Sequence, residues 1–140
     1  RFANQEVSFL LQRLEVFEGC AILTTNLQEN IDEAFLRRFG AVIEFPMPSL
    51  EQRQQLWKRA IPKGAPKAEN LDLDAIAKQF VLAGGSIINS AINACIHAST
   101  ERESVGMKHI VTAVAQEYIK MGKQVTAVHF GKWHEMVPKG

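Results

Sequence analysis

Residues 20–48 read CAILTTNLQENIDEAFLRRFGAVIEFPMP, and the fold class turns on them. The apolar run Cys20–Leu23 gives way to three polar residues, Thr24, Thr25 and Asn26. A short helix signal then carries the doublet Arg37-Arg38 into a second apolar run, Ala41–Phe45. Polar residues do not alternate with apolar ones before Glu44, so both runs read as strands covered on both faces, the pattern of a parallel α/β sheet. Ligands of such sheets gather at the carboxyl ends of strands, where Asn26 falls. Asp32 is a good N-cap for the short helix and Gly40 a stop signal. Arg37 and Arg38 then sit in its last turn, where a cation suits the helix dipole whatever else it does.

Working outward, Val7, Leu10, Leu11, Leu14 and Phe17 recur at helical spacing ahead of the Glu18-Gly19 stop, which predicts an amphipathic helix packed on one sheet face. After Pro46 and Pro48 the period changes. Ser49 with Gln52 forms a capping box that opens a helix through Leu56 and Trp57, stopped by Pro62. Asp72 or Asp74 begins the next, with Leu73, Ile76, Ala77 and Phe80 on one face and Gly84-Gly85 as its end. A longer helix from about Ser86 to Thr100 is apolar over a wide arc (Ile87, Ile88, Ala91, Ile92, Cys95, Ile96) and reads as the central one. Met107, Ile110, Val111, Val114, Tyr118 and Met121 mark the last. The expected architecture is therefore an α/β fragment over residues 1–47, an all-α domain of about four helices over 48–121, and a tail, 122–140, without a clear period.

An apolar share of 46% with 22% charged residues is ordinary globular composition, and a net charge of +1 provides no field to draw nucleic acid. No apolar run approaches the roughly 18 residues of a membrane span. The expectation is a cytoplasmic protein without membrane or nucleic-acid partners. Cys20 and Cys95 each lie in an apolar segment and read as buried free thiols. In the tail, His129 and His134 flank Trp133 but lack a third ligand at a recognised spacing, so no metal site is expected.

The stretch resembles the second region of homology of AAA ATPases. Thr24-Thr25-Asn26 is similar to the sensor 1 strand end, Asn30-Ile31-Asp32 to the entry of the following helix, and Leu36-Arg37-Arg38-Phe39-Gly40 to the arginine-finger segment. With the helices after Pro48, the resemblance covers roughly residues 5–121 and stops short of the tail. It implies that residues 1–47 end a nucleotide-binding core and that residues 48–121 form the lid that closes over the nucleotide. The complete protein would then bind ATP with Mg²⁺ and hydrolyse it in a homo-oligomeric, hexameric ring of AAA subunits.

The same resemblance implies roles. Asn26 would orient the attacking water or touch the γ-phosphate, work that suits a short amide. Arg38, or else Arg37, would reach a neighbour's γ-phosphate as the finger, since a planar fork of donors matches phosphate oxygens. Gly84 and Gly85 would form the lid turn at the adenine, where a bare backbone can approach a flat base, although helix termination explains them equally well. Two departures stand out. The place of a second downstream arginine is taken by Ala41 or its neighbours, and Ile88 stands where a sensor 2 arginine would be.

Phosphoryl transfer also needs a glycine-rich cradle with its lysine and a strand-end Asp for Mg²⁺. The chain contains no GxxxxGK[ST] and no Asp-Glu strand end, so it is expected neither to hydrolyse ATP alone nor to hold the nucleotide tightly. The alternative to an ATPase portion is a non-catalytic helical protein-interaction domain derived from the same fold. A DNA-binding module is disfavoured, because no helix presents a basic stripe. The sequence names no substrate.

Overall fold

The computed structural model describes residues 9–10, 12–26 and 33–138. The expected helix start at Val7 and the Asn30–Asp32 helix entry lie outside the described residues. Chain contacts divide the protein into two units, Arg1–Phe45 and Pro46–Gly140.

In the first unit residues 12–15 are helical and α1 (Glu33–Leu36) is a single turn. The two expected strands are not there: residues 20–25 and 41–45 run as irregular backbone, and no strand forms among the described residues. Apolar runs of this kind need paired neighbours on both edges, and two of them alone do not make a sheet. Their side chains consequently face water, with Ile22 85% exposed, Ile43 74% and Phe45 91%. Cys20 shares this fate and is exposed, not buried as its apolar setting led us to expect.

The second unit is helical. Its elements are α2 (Leu50–Ala60), α3 (Leu73–Gln79), α4 (Gly84–Glu101), α5 (Met107–Lys120), α6 (Ala127–Phe130) and a 3₁₀ turn, η1 (Gly131–Met136). The capping box at the start of α2 closes both ways: Gln52 N donates to Ser49 Oγ at 3.3 Å and Ser49 N donates to Gln52 Oε1 at 2.8 Å. Asp72 caps α3 by accepting from Ala75 N at 2.8 Å. That helix ends at Gln79, with Phe80 as its C-cap, and Gly84 and Gly85 are instead the first two residues of α4. Glycine punctuates starts as well as stops, and here the chain turns in the four residues before the pair.

α4 packs chiefly against α5 and also against α2, which in turn covers α3. Its buried residues are Ile87, Ser90, Ala91, Ala94 and Ala98, all but Ile87 small enough to let helices approach closely. The wide apolar arc read from the sequence is thus half used, because Ile88, Ile92 and Ile96 are each about half exposed and Cys95 lies at the margin. Arg102 ends α4 in the left-handed region at φ 56°, and the N–H groups of Arg102 and Glu103 reach back to Ser99 and Ala98. An isolated parallel bridge, Lys67 with Val105, then ties the loop after α2 to the loop before α5. The core runs from Trp57 and Ile61 through Ile76, Phe80 and Leu82 to Ile110, Val111 and Val114, and takes in Phe130 and Trp133 from the tail. Among the described residues no helix is long and apolar enough to cross a membrane.

Candidate functional site

The candidate residues fall in both units. Asn26 is exposed at a bend that ends the Cys20–Thr25 stretch. Arg37 and Arg38 follow α1 directly. Arg37 Nη2 donates to Glu33 Oε1 at 3.1 Å, one turn back, and both side chains are exposed, so the pair contributes only about 0.3–0.5 kcal/mol. Arg38 Nη1 is hydrogen-bonded to the Glu15 carboxylate, a pair about half exposed to solvent. Each arginine therefore has a carboxylate partner within its own unit. A finger must hand its donors to a phosphate, so these pairs would have to open for that work.

Gly84 and Gly85 open α4 behind Ala83, which offers no side-chain cap. A Cβ placed on Gly85 would meet nothing within 4 Å, and one on Gly84 would touch only Leu56 Cδ1 at 3.7 Å. Nothing in the packing demands glycine at either position. The bare backbone leaves the first turn of α4 open to an approaching ligand, with its orphan N–H groups in the positive end of the helix dipole.

The compensating charge comes from α5. Glu117 is buried and its carboxylate accepts from Lys120 Nζ at 2.9 Å, with the polar side chains of Ser86 and Asn89 on α4 near enough to favour its charged form. Burial alone would push this carboxyl up, but those donors outweigh it and hold the carboxyl below the usual glutamate range. A depressed folded value means that the ionised form stabilises the fold above the ordinary glutamate range, and that this contribution disappears as pH falls through the folded value. Glu117→Gln is expected to unfold at lower urea than the parent at pH 7, with the gap closing by about pH 3. Denaturation at the two pH values measures this, and an unchanged gap would mean that the carboxylate charge is irrelevant.

Two buried polar side chains give no signal in the sequence. Arg53, on the inner face of α2 one turn before Trp57, donates from Nε to Ala77 O at 2.9 Å and from Nη1 to Pro48 O at 2.8 Å. It fastens the start of the unit to α3. His109 is buried in the first turn of α5. Its Nδ1 accepts from Gly106 N at 2.9 Å, so Nε2 carries the proton and faces Glu101 Oε2 at 3.3 Å and Glu103 Oε2 at 3.8 Å.

The ligand atoms of Glu101, Glu103 and His109 lie within 4.8 Å of one another, close enough for a metal ion. The chemistry argues for a different use. Lys108 Nζ already stands 2.7 Å from Glu101 and 2.8 Å from Glu103, and His109 has no free lone pair to offer. Hydrogen bonding to Lys108 pulls the Glu101 carboxyl down, and the same contact raises the Lys108 ammonium. The group is a clamp between the end of α4 and the start of α5.

Comparison with known proteins adds one independent observation. No family model matches the chain. The ATP-dependent zinc metalloprotease FtsH of Lachnoclostridium phytofermentans is 31% identical over 108 residues, which is 72% of this chain and 18% of that protein. The meiotic spindle formation protein mei-1 of Caenorhabditis elegans is 24% identical over 100 residues, 71% of this chain and 21% of that protein. The relationship is to AAA proteins, at a distance. The chain spans about a fifth of the length of each relative.

Proposed function

We propose that the chain is the C-terminal portion of an AAA-family ATPase, with residues 1–47 ending the nucleotide-binding core and residues 48–121 forming its helical lid. The observation that carries this reading is the similarity to FtsH and mei-1 over some hundred residues, in a chain whose second unit has the helical order expected of a lid. Within that reading Asn26 is sensor 1, Arg38 (or Arg37) is the finger offered to a neighbouring subunit, and Gly84-Gly85 faces the adenine. ATP with Mg²⁺ is the ligand of the complete, ring-forming protein, whose cradle and metal-binding Asp would come from outside this chain.

Phosphate affinity in such enzymes resides largely in the backbone N–H cradle and its lysine. The isolated chain is therefore expected to bind ATP no tighter than roughly millimolar, since an open helix N-terminus without that loop is a weak anion site. Isothermal calorimetry with Mg-ATP tests this. Micromolar binding would show that the chain carries a nucleotide site of its own.

A second reading, a non-catalytic interaction domain derived from the AAA fold, is favoured by the exposed side of α4. Between Gly84 and Thr100 that helix has no charged residue, and it shows Ile88, Ile92 and Ile96 beside an open apolar cleft of about 320 Å³ that also includes Pro62 and Cys95. Uncharged surfaces with half-exposed isoleucines are the kind that proteins bury against partners. ATP turnover by the complete protein separates the two readings.

A further inference from the structure

From Gly84 to Thr100, nearly all of α4, there is no Asp, Glu, Lys or Arg, and the side of the helix turned from the core keeps Ile88, Ile92 and Ile96 about half exposed. Set four residues apart, these isoleucines form a single ridge, with neighbours about 6 Å apart along the helix axis. The open apolar cleft of about 320 Å³ runs beside the ridge, walled by Ile92 and Ile96 on one side and by Pro62, Cys95 and Ser99 on the other. No charged side chain lines it.

Helices pack by laying the ridges of one into the grooves of another, and ridges of this class mesh with their own kind at a crossing of about −50°. α4 offers a ridge and an adjoining groove on one face. A two-fold axis lying along the seam between them exchanges the two, so the face is complementary to itself, as an interface between identical chains must be. The absence of charge along the helix removes the like-charge contacts that most surfaces would bring together when paired with their own copy, and interface cores are depleted of charge for the same reason.

We propose that this face pairs two copies of the chain across such a two-fold axis, the isoleucine ridge of each seated in the cleft of the other. The contact is confined to one helix face, less than the roughly 800 Å² per partner of a standard interface, so the dimer is weak, with an expected Kd on the order of tens of micromolar. The pairing goes beyond both readings of function, because it does not depend on ATP turnover.

Sedimentation equilibrium of the intact chain, from a few micromolar to about 0.5 mM, is the test. The parent is expected to pass from monomer to dimer over that range, and Ile92→Glu to stay monomeric with its helical circular dichroism unchanged, since Ile92 is half exposed. Ile43→Glu, in the exposed apolar run of the first unit, is expected to dimerise as the parent does. In a Cys20→Ser chain, disulfide exchange of Cys95 with Ellman's reagent is expected to slow about threefold or more at the concentrated end, because the partner's ridge covers the thiol. A parent that stays monomeric throughout would overturn the proposal, as would an unchanged Cys95 rate. So would association that survives Ile92→Glu and is lost in Ile43→Glu, which would assign it to the first unit, or growth past the dimer, which would mean a contact that does not close.

Discussion

If the complete protein is the AAA-family ATPase proposed above, Arg38→Ala in it is expected to lower ATP turnover by about 10³-fold or more while nucleotide affinity stays within a few-fold of the parent. The reasoning is that a finger meets the γ-phosphate of a neighbouring subunit only as charge develops in the transition state, so its loss is felt in kcat and hardly in binding. The Glu15 carboxylate that holds Arg38 in this chain sharpens the test. If that pair is only a resting partner, Glu15→Gln leaves turnover close to the parent while Arg38→Ala abolishes most of it. Equal turnover in Arg38→Ala and parent would reduce Arg38 to a charge at a helix end, balanced by Glu15 as Arg37 is by Glu33.

Phe80→Ala is expected to cost about 3–5 kcal/mol, the usual range for truncating a fully buried phenylalanine. Phe80 caps α3, is inaccessible to solvent, and meets Tyr118, Phe130 and Trp133 through ring contacts of 4.9–6.2 Å. Its removal opens a cavity bounded by two helices and the tail, which cannot all close in on it. At about 4–8 °C per kcal/mol for a unit of this size, the melting midpoint should fall by about 12–40 °C. Calorimetry checks it, and a loss below about 1 kcal/mol would mean that the aromatic cluster is loosely packed. Phe130→Ala and Trp133→Ala act on the tail side of the same cluster and should be milder, because the helices beneath remain packed.

Much of the helical unit was legible because its signals are local. Ser49 with Gln52, Asp72, and the spacing of Met107 to Tyr118 each specify an element within a few residues of themselves. The strands were not legible in the same sense. CAIL and AVIEF report a need for two-sided cover, but whether neighbouring strands are present to supply it is a property of the rest of the sheet. Gly84-Gly85 was read as a stop because glycine ends helices more often than it begins them, and only the position of Phe80 against the core reveals that α3 is already over.

The candidate site was legible only through the order of motifs. Asn26, Arg37 and Arg38 carry no local mark that separates phosphate chemistry from capping and charge pairing, and the structure gives both arginines carboxylate partners. Arg53 and His109 escaped notice for the opposite reason. A charged or polar residue on a helix is read as solvated, and their burial follows from the backbone groups they serve, Pro48 O, Ala77 O and Gly106 N. The tail gave no period because two aromatics three apart in a turn and a 3₁₀ helix are too few to form one.

The bridge between Lys67 and Val105 bears on the order in which the unit assembles. Its partners are 38 residues apart (105 − 67), farther along the chain than the neighbours joined by the α4–α5 turn. Contacts between adjacent helices close small loops and form early, whereas this one waits until α2, α3 and α4 have brought its two loops together. In pulse-labelled hydrogen exchange during refolding, the Val105 amide, which donates to Pro66 O at 2.8 Å, should become protected after those of α4 and α5. This loop-to-loop contact would thereby report that α2, α3 and α4 have come together.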